Sequence, residues 1–320
     1  MVRVLITGIA GFIGSHLADY ILSQKDVELY GTFLKYESLE NLTHIKDQLV
    51  LRECDIMDQE QLDNIIKESL PDCIFHLAAQ SNVVLSWQIP QKTVRINVEG
   101  TVNLLESARK HVPDARIMLA SSREVYGAVK KSELPITEEH QPEPINPYAV
   151  SKLAMEFLGY NYYYKYGLKS IILRSFNITG PRRPESFVCS DWAKQVAQIE
   201  LGLKEQEIRI GNLNAIRDFT DVRDAVRAYW LAIKKCKPAE PYNLCSGRAL
   251  KMKEILDMIL SLSDKDIKVV RDEKKVVKID VPYVAGTNKK LRKATGWKPK
   301  IRLEKTLKDL VDYWKEKLNS

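Results

Sequence analysis

The chain has 320 residues, 45% apolar and 28% charged, and at roughly 150 residues per domain this is about two domains' worth of ordinary globular sequence, which excludes a peptide scaffold, a disordered chain, collagen and a coiled coil. No apolar run approaches the ~20 residues that span a bilayer, and the five cysteines lack CxxC spacing, so a reduced, cytoplasmic protein without a disulfide framework or metal site is expected. The net charge of +7 is concentrated in residues 251–320, which carry 19 Lys and Arg against 11 Asp and Glu; this reads as a solvated lysine-rich surface, with no nucleic-acid or membrane partner implied.

Residues 2–7 read as a strand, about 11–24 as a helix and 27–32 as a second strand, a βαβ opening. The alternation continues with a strand over 49–53, a helix over 59–69, a strand over 73–77, a helix over 93–110 and a strand over 115–121. Repeated βα units predict an α/β fold, a Rossmann-type doubly wound parallel sheet with helices on both faces. Asn146-Pro147 reads as an N-cap and first helical position, starting a helix that runs from Tyr148 to about Tyr166, and 168–176 is another strand. After Gly180-Pro181 the rhythm changes to helices over about 190–203, 255–262 and 303–318. These suggest a smaller, mostly helical unit. The stretch 241–245 predicts a strand returning to the main sheet, so the expected division is a cofactor domain over 1–180 with that strand, and an interleaved substrate domain over 181–320.

Gly8, Gly11 and Gly14 form a GxxGxxG turn between the first strand and the first helix. Such a turn aims backbone N–H groups, here those around Phe12 and Ile13, at a dinucleotide pyrophosphate. A carboxylate closing the second strand would bind the adenosine ribose and repel a 2′-phosphate. None stands in Leu29-Tyr30-Gly31-Thr32-Phe33-Leu34-Lys35, so NADP is the expected cofactor, with NAD as the alternative. Asp55, Ile56, Leu77, Ala78, Ala79 and Asn97 fall at the carboxyl ends of later strands, where they line the rest of a cofactor cleft.

Tyr148 and Lys152 lie four residues apart, on one face of their helix. An ammonium beside a phenol favours the phenolate, so the pair is expected to lower the tyrosine pKa for proton exchange with a sugar hydroxyl or ketone. Ser122, at the end of a strand, offers a hydroxyl to the same oxygen. The glycine turn, His76-Leu77-Ala78-Ala79, Ser121 to Gly127, Tyr148 to Lys152 and Arg174-Ser175-Phe176-Asn177-Ile178-Thr179-Gly180-Pro181 occur in the order of the motifs of the extended short-chain dehydrogenase/reductase family, which the whole chain resembles. The resemblance implies Ser122 as the hydroxyl that polarises the substrate oxygen, Tyr148 as acid/base, and Lys152 as activator of the tyrosine and ligand of the nicotinamide ribose. It also implies a homodimer through a four-helix bundle built from 93–110 and 148–166.

The second half is similar to enzymes acting on GDP-mannose derivatives in Ser186-Phe187-Val188, Trp192-Ala193-Lys194-Gln195, Gly211-Asn212-Leu213 and the stretch from Arg217 to Asp224. That similarity implies Gln80, Ser81, Asn177, Val188, Lys194 and Arg217 at the substrate, with Lys194 and Arg217 on its diphosphate, and Arg182 and Arg183 as further candidates. Two reactions share the scaffold. A GDP-mannose 4,6-dehydratase needs a carboxylate base near C5, and Glu124 resembles it. A 4-reductase takes GDP-4-keto-6-deoxymannose to GDP-6-deoxymannose. Arg123 stands where dTDP-glucose dehydratases carry aspartate, the chain is short for a GDP-mannose dehydratase, and Lys290 to Pro299 with Tyr313-Trp314 resembles the reductases. Reduction is therefore the expected reaction, with dehydration as the alternative; a 4-epimerase and a cofactor-sensing regulator are the remaining readings.

Overall fold

The computed structural model describes residues 1–276 and 281–319. Seven strands form the main sheet: β1 Val2–Thr7, β2 Val27–Phe33, β3 Val50–Glu53, β4 Cys73–His76, β5 Arg116–Ser122, β6 Lys169–Ser175 and, much later in the chain, β10 Pro241–Leu244. Their order is β10-β6-β5-β4-β1-β2-β3, and every pairing is parallel. Parallel strands covered on both faces carry continuous apolar runs, and Val4, Leu5 and Ile6 of β1 have no exposed surface. Strand order reverses between β4 and β2 on either side of β1, which opens a crevice at the carboxyl ends of the strands.

On one face, helix α1 (Phe12–Leu22) lies beside α8 (Val222–Lys235) over Val4, Ile6 and Phe75. On the other face pack α2 (Gln59–Ser69), α5 (Gly100–His111) and α6 (Pro147–Tyr166), around Leu5, Ile74, Ile117, Leu119 and Met155. Two short helices, α3 (Val83–Gln88) and α4 (Pro90–Val94), lead through one wider turn into α5.

Helix α6 begins as the sequence predicts. The Asn146 side chain accepts from the Ala149 N–H at 2.8 Å, Pro147 takes the first helical position, and Gly167 closes the helix with φ +75°. Tyr148, Lys152 and Glu156 follow one another at intervals of four along its buried face. Glu156 has no exposed surface and accepts from Arg174 of β6 through both oxygens, at 3.0 and 2.7 Å, and from the Ser121 hydroxyl at 2.5 Å. Arg174 also donates to the Tyr126 hydroxyl at 3.1 Å, which donates in turn to Asn243 of β10 at 2.7 Å.

Beyond Gly180 the chain builds a smaller cluster and repeatedly rejoins the main layer. Helices α7 (Val188–Glu200), α9 (Met252–Leu260) and α11 (Leu303–Asn319) enclose Trp192, Val196, Ile255, Leu307 and Leu310. Two small sheets border them, β11-β9-β7 (Ala249–Lys251, Ile216–Asp221, Asn177–Thr179) and the pair β12-β8 (Lys268–Arg271, Glu207–Ile210). From the same half of the chain, α8 and β10 join the main layer, and so does α10 (Lys289–Thr295) with Trp297, whose indole N–H donates to the Asp224 carbonyl at 2.9 Å. Helix α7 starts two residues before the expected point because its N-cap, Phe187, offers no side-chain acceptor and so leaves no signal in the sequence.

Removing one partner of a buried ion pair leaves the other charge uncompensated, at a cost of about 3–5 kcal/mol. Arg174→Met should therefore lose about that much stability in urea unfolding; a loss below about 1 kcal/mol would show that the pair does not hold α6.

Candidate active site

The turn from β1 to α1 is shaped for close approach. Gly8 has φ +71°, a left-handed conformation that side-chain-bearing residues rarely adopt, and a Cβ on Gly14 would stand 2.3 Å from the Gly8 carbonyl oxygen. Gly11 caps α1 without any side-chain acceptor, so the first-turn N–H groups at Phe12 and Ile13 face the crevice side of β1 without competition from a cap. Asn41 donates to the Ala10 carbonyl at 3.3 Å and steadies the loop. Bare backbone donors at the head of an eleven-residue helix fit a dinucleotide pyrophosphate.

The other expected cofactor residues divide into two groups. Ala78 lies against Gly8, and Leu77 and Ala78 both donate their N–H to the Thr7 hydroxyl at 3.2 Å. Asp55 is exposed and accepts from the Met57 N–H, while Ile56 is buried against Gly100. Asn97 is buried, and all its polar groups bond within the protein: it brackets the Gln80 backbone at 2.8 and 3.0 Å and donates to Ser151 of α6 at 2.9 Å. Gln80 likewise spends its amide on Asn82 and Thr93. These two side chains order the loop after β4, and Ser81 is exposed beyond them.

Tyr148, Ser122 and Lys152 come together where α6 crosses the end of β5. The Lys152 ammonium lies 5.8 Å from the Tyr148 ring centroid and donates to the Ala120 carbonyl at 2.9 Å. Burial lowers Lys152 to about 8, with Glu156 one turn on acting in the opposite sense. The same burial pushes the Tyr148 phenol well above its ordinary value, with the Ser122 hydroxyl beside it pulling down and Glu124 pushing up. The sequence leads one to expect a lowered phenol; in the structure desolvation raises it instead, which keeps the proton on Tyr148.

Glu124 sits in the short turn after Ser122, whose hydroxyl accepts from its N–H at 3.2 Å. One carboxylate oxygen pairs with the Arg123 guanidinium and the other accepts from Asn146 at 3.0 Å.

Next to this centre, on the side of the smaller cluster, opens a cleft of about 690 Å³. Asn177, Val188, Arg183 and Arg217 line it, as do Lys274 and Lys275 from the basic end of the chain. Arg183 lies over the rings of Phe12 and Phe187 at 4.9 and 3.4 Å, within electrostatic reach of Tyr148, and burial lowers it to about 10. Arg182 points elsewhere and pairs with Asp19 of α1 at 2.8 Å. Lys194 does not line the cleft; it pairs with Glu185 and lies over Trp314. Glu156 and Asn146 escape sequence reasoning although both leave a signal: Glu156 continues the spacing of Tyr148 and Lys152, and Asn146 is already legible as the cap. Lys274 and Lys275 leave none, since nothing local separates them from the other lysines. Among the described residues no group of His, Cys, Asp and Glu could hold a metal ion.

A glycine-turn crevice and a Ser–Tyr–Lys centre on a doubly wound sheet define an extended short-chain dehydrogenase/reductase. Within that class the chain belongs to the GDP-mannose 4,6 dehydratase family, whose family model matches residues 5–310. It is 31% identical over 318 residues to the GDP-6-deoxy-D-mannose reductase of Pseudomonas aeruginosa, covering 99% of this chain and 98% of that one. It is 32% identical over 325 residues to GDP-mannose 4,6 dehydratase 2 of Arabidopsis thaliana, covering 96% and 85%. Among solved structures it resembles RMD from Pseudomonas aeruginosa complexed with NADPH, with a TM-score of 0.86 and 30% identity over 98% of this chain and 99% of that one. A UDP-glucose 4-epimerase from Thermotoga maritima with UDP-glucose superposes with a TM-score of 0.89 at 29% identity, over 98% and 99%.

The depressed Lys152 makes stability depend on pH. Its value is about 8 in the fold against 10.5 as the ordinary one, so below pH 8 the fold carries a buried charge that the unfolded chain holds at no cost, and that cost fades as pH rises toward 10.5. Lys152→Met should therefore be more stable than the parent near about pH 7, with the advantage shrinking toward about pH 10 in urea unfolding. An advantage that is absent, or constant with pH, would contradict the assignment.

Proposed function

We propose that the protein is an NADP-dependent reductase that converts the C4 ketone of GDP-4-keto-6-deoxymannose to the alcohol of GDP-6-deoxymannose (GDP-rhamnose). The observation that carries this reading is the convergence of Tyr148, Ser122 and Lys152 where α6 crosses the end of β5. Reduction of a ketone needs a proton delivered to the oxygen, and a phenol above its usual pKa starts the reaction in the form that delivers it. The Ser122 hydroxyl orients the ketone oxygen, and Lys152 holds the base of the tyrosine's helix against the Ala120 carbonyl. NADPH, held by Gly8, Gly11, Phe12, Ile13 and Gly14, supplies the hydride when bound. The first carboxylate after β2, Glu37, accepts from the Leu34 N–H at 3.2 Å, and Lys35 beside it is exposed; this leaves a setting that favours NADP, with NAD as the weaker ligand. Arg183 and Arg217 present guanidinium groups suited to the diphosphate. The full-length similarity to the Pseudomonas reductase supports the same reading.

The domain division belongs to this proposal: residues 1–180 with 241–245 take the cofactor, and the interleaved remainder of 181–320 takes the nucleotide sugar. A cytoplasmic location does too, supported by five free, buried cysteines; no helix among the described residues is long and apolar enough to cross a membrane. Dehydration of GDP-mannose is the second reading, favoured by the position of Glu124 two residues after Ser122.

The test is to incubate the protein with GDP-mannose alone, and separately with GDP-4-keto-6-deoxymannose and NADPH, and to weigh the products. A two-hydrogen gain on the keto sugar with GDP-mannose untouched is the expected result; loss of water from GDP-mannose would establish the dehydratase instead. Tyr148→Phe should keep NADPH binding and slow turnover by about 10²-fold or more.

A homodimer through helices α5 and α6 completes the proposal. Beside α5, Trp87 of α3, Val94 of α4 and Val150 and Phe157 of α6, on helices that pack side by side, are 55, 40, 48 and 55% exposed, an apolar strip unusual for a free surface. Phe157→Asp should shift the protein toward half its mass in light scattering; an unchanged mass would place the dimer elsewhere or exclude it.

A further inference from the structure

Arg123 is buried, with 8% of its surface exposed, yet only one of its three guanidinium nitrogens has a partner. Its Nη2 pairs with Glu124, while Nε and Nη1 are buried without any hydrogen-bond partner. A donor buried without a partner loses its hydrogen bonds to water and gains none in return. An apolar side chain would fill the space at lower cost, so packing does not explain the residue. What the arginine does achieve is to occupy Glu124. With Arg123 on one oxygen and Asn146 on the other, each oxygen of the carboxylate is tied to one donor and its charge is paired.

This matters because of where Glu124 stands. It follows Ser122 by two residues, is bonded to the asparagine that caps the Tyr148 helix, and lies close enough to act electrostatically on the phenol. A hydrogen on the carbon beside a ketone is acidic. A free carboxylate here would take the C5 proton, the electron pair would move into a C4–C5 enolate, and solvent would return a proton to C5. No net chemistry results, but the intermediate invites epimerisation at C5 and competes with reduction.

We propose that Arg123 is a positioning residue that fixes reaction specificity: by clamping Glu124 in an ion pair it prevents the carboxylate from acting as a base toward C5, so that the site reduces the keto sugar without enolising it. The inference rests on the reductase reading.

The experiment follows deuterium at C5 by NMR during turnover of GDP-4-keto-6-deoxymannose with NADPH in D2O, while NADPH oxidation is recorded in the same sample. The parent protein should oxidise NADPH and return product with protium at C5. Arg123→Ser should raise C5 deuterium incorporation on the order of a hundredfold, a general base's usual contribution. Arg123→Lys, which keeps the charge, should hold incorporation near the parent's level, and adding Glu124→Gln to Arg123→Ser should abolish the rise. A structural role for Arg123 would change stability without these differences. Exchange by the parent faster than reduction overturns the inference without any variant. So does an Arg123→Ser protein that oxidises NADPH with no gain in exchange, or a gain that survives Glu124→Gln. Failure of the parent to oxidise NADPH on this substrate overturns the reductase reading itself, and the inference with it.

Discussion

Glu156 holds a carboxylate with no exposed surface at the centre of the protein, and keeping that charge satisfied sets much of what surrounds it. Arg174 reaches it from β6 through two nitrogens and Ser121 reaches it from β5, so the helix that carries it cannot slide or rotate against either strand. Tyr148 and Lys152 lie two turns and one turn earlier on the same face. Their position relative to Ser122, the residue after Ser121, is therefore fixed by an ion pair that touches neither of them. The network continues through Tyr126 to Asn243, so the outermost strand of the sheet is registered on the same charge. Buried charges of this kind contribute little net stability compared with well-packed apolar groups; here the pair supplies placement.

That environment also sets the electrostatics of the reactive centre. Burial acts on both groups in the direction of neutrality, raising the phenol and depressing the ammonium, and so drives apart two proton affinities that nearly coincide in water. Proteins similar to this chain include a reductase, dehydratases and epimerases. What distinguishes one reaction from another then falls to the residues around the pair. In this chain the most unusual of them is Arg123.

Much of this is legible in the residue order. Alternating apolar runs give the parallel sheet, and Asn146-Pro147 fixes the start of α6, because caps and period-bound burial act locally and leave local traces. Helix α8 leaves an equally local trace, with Asp221 accepting from the Arg223 N–H at 2.7 Å ahead of Ala225, Val226 and Tyr229, but the same stretch also carries a family motif, and the motif masks the helix among the expected elements. The site is less legible. Spacing brings Tyr148, Lys152 and Ser122 into one centre, but no spacing shows that burial raises the phenol, that Asn97 and Gln80 bond only within the protein, or that Lys194 pairs with Glu185. These outcomes depend on what approaches from segments more than ten residues away in most cases, and on how much water each group loses.

The return of α8, β10 and α10 to the main layer has a consequence for how such a protein can change. Each return is a covalent tie between the cofactor layer and the cluster that borders the cleft, and a fragment ending at residue 180 would leave β6 as a bare edge and α1 without the helix beside it. Neither half can be exchanged by a single crossover between related genes. Recombination, which shuffles specificity readily among proteins whose modules follow one another in the chain, is therefore a poor route here, and new preferences must come from point substitutions around the cleft.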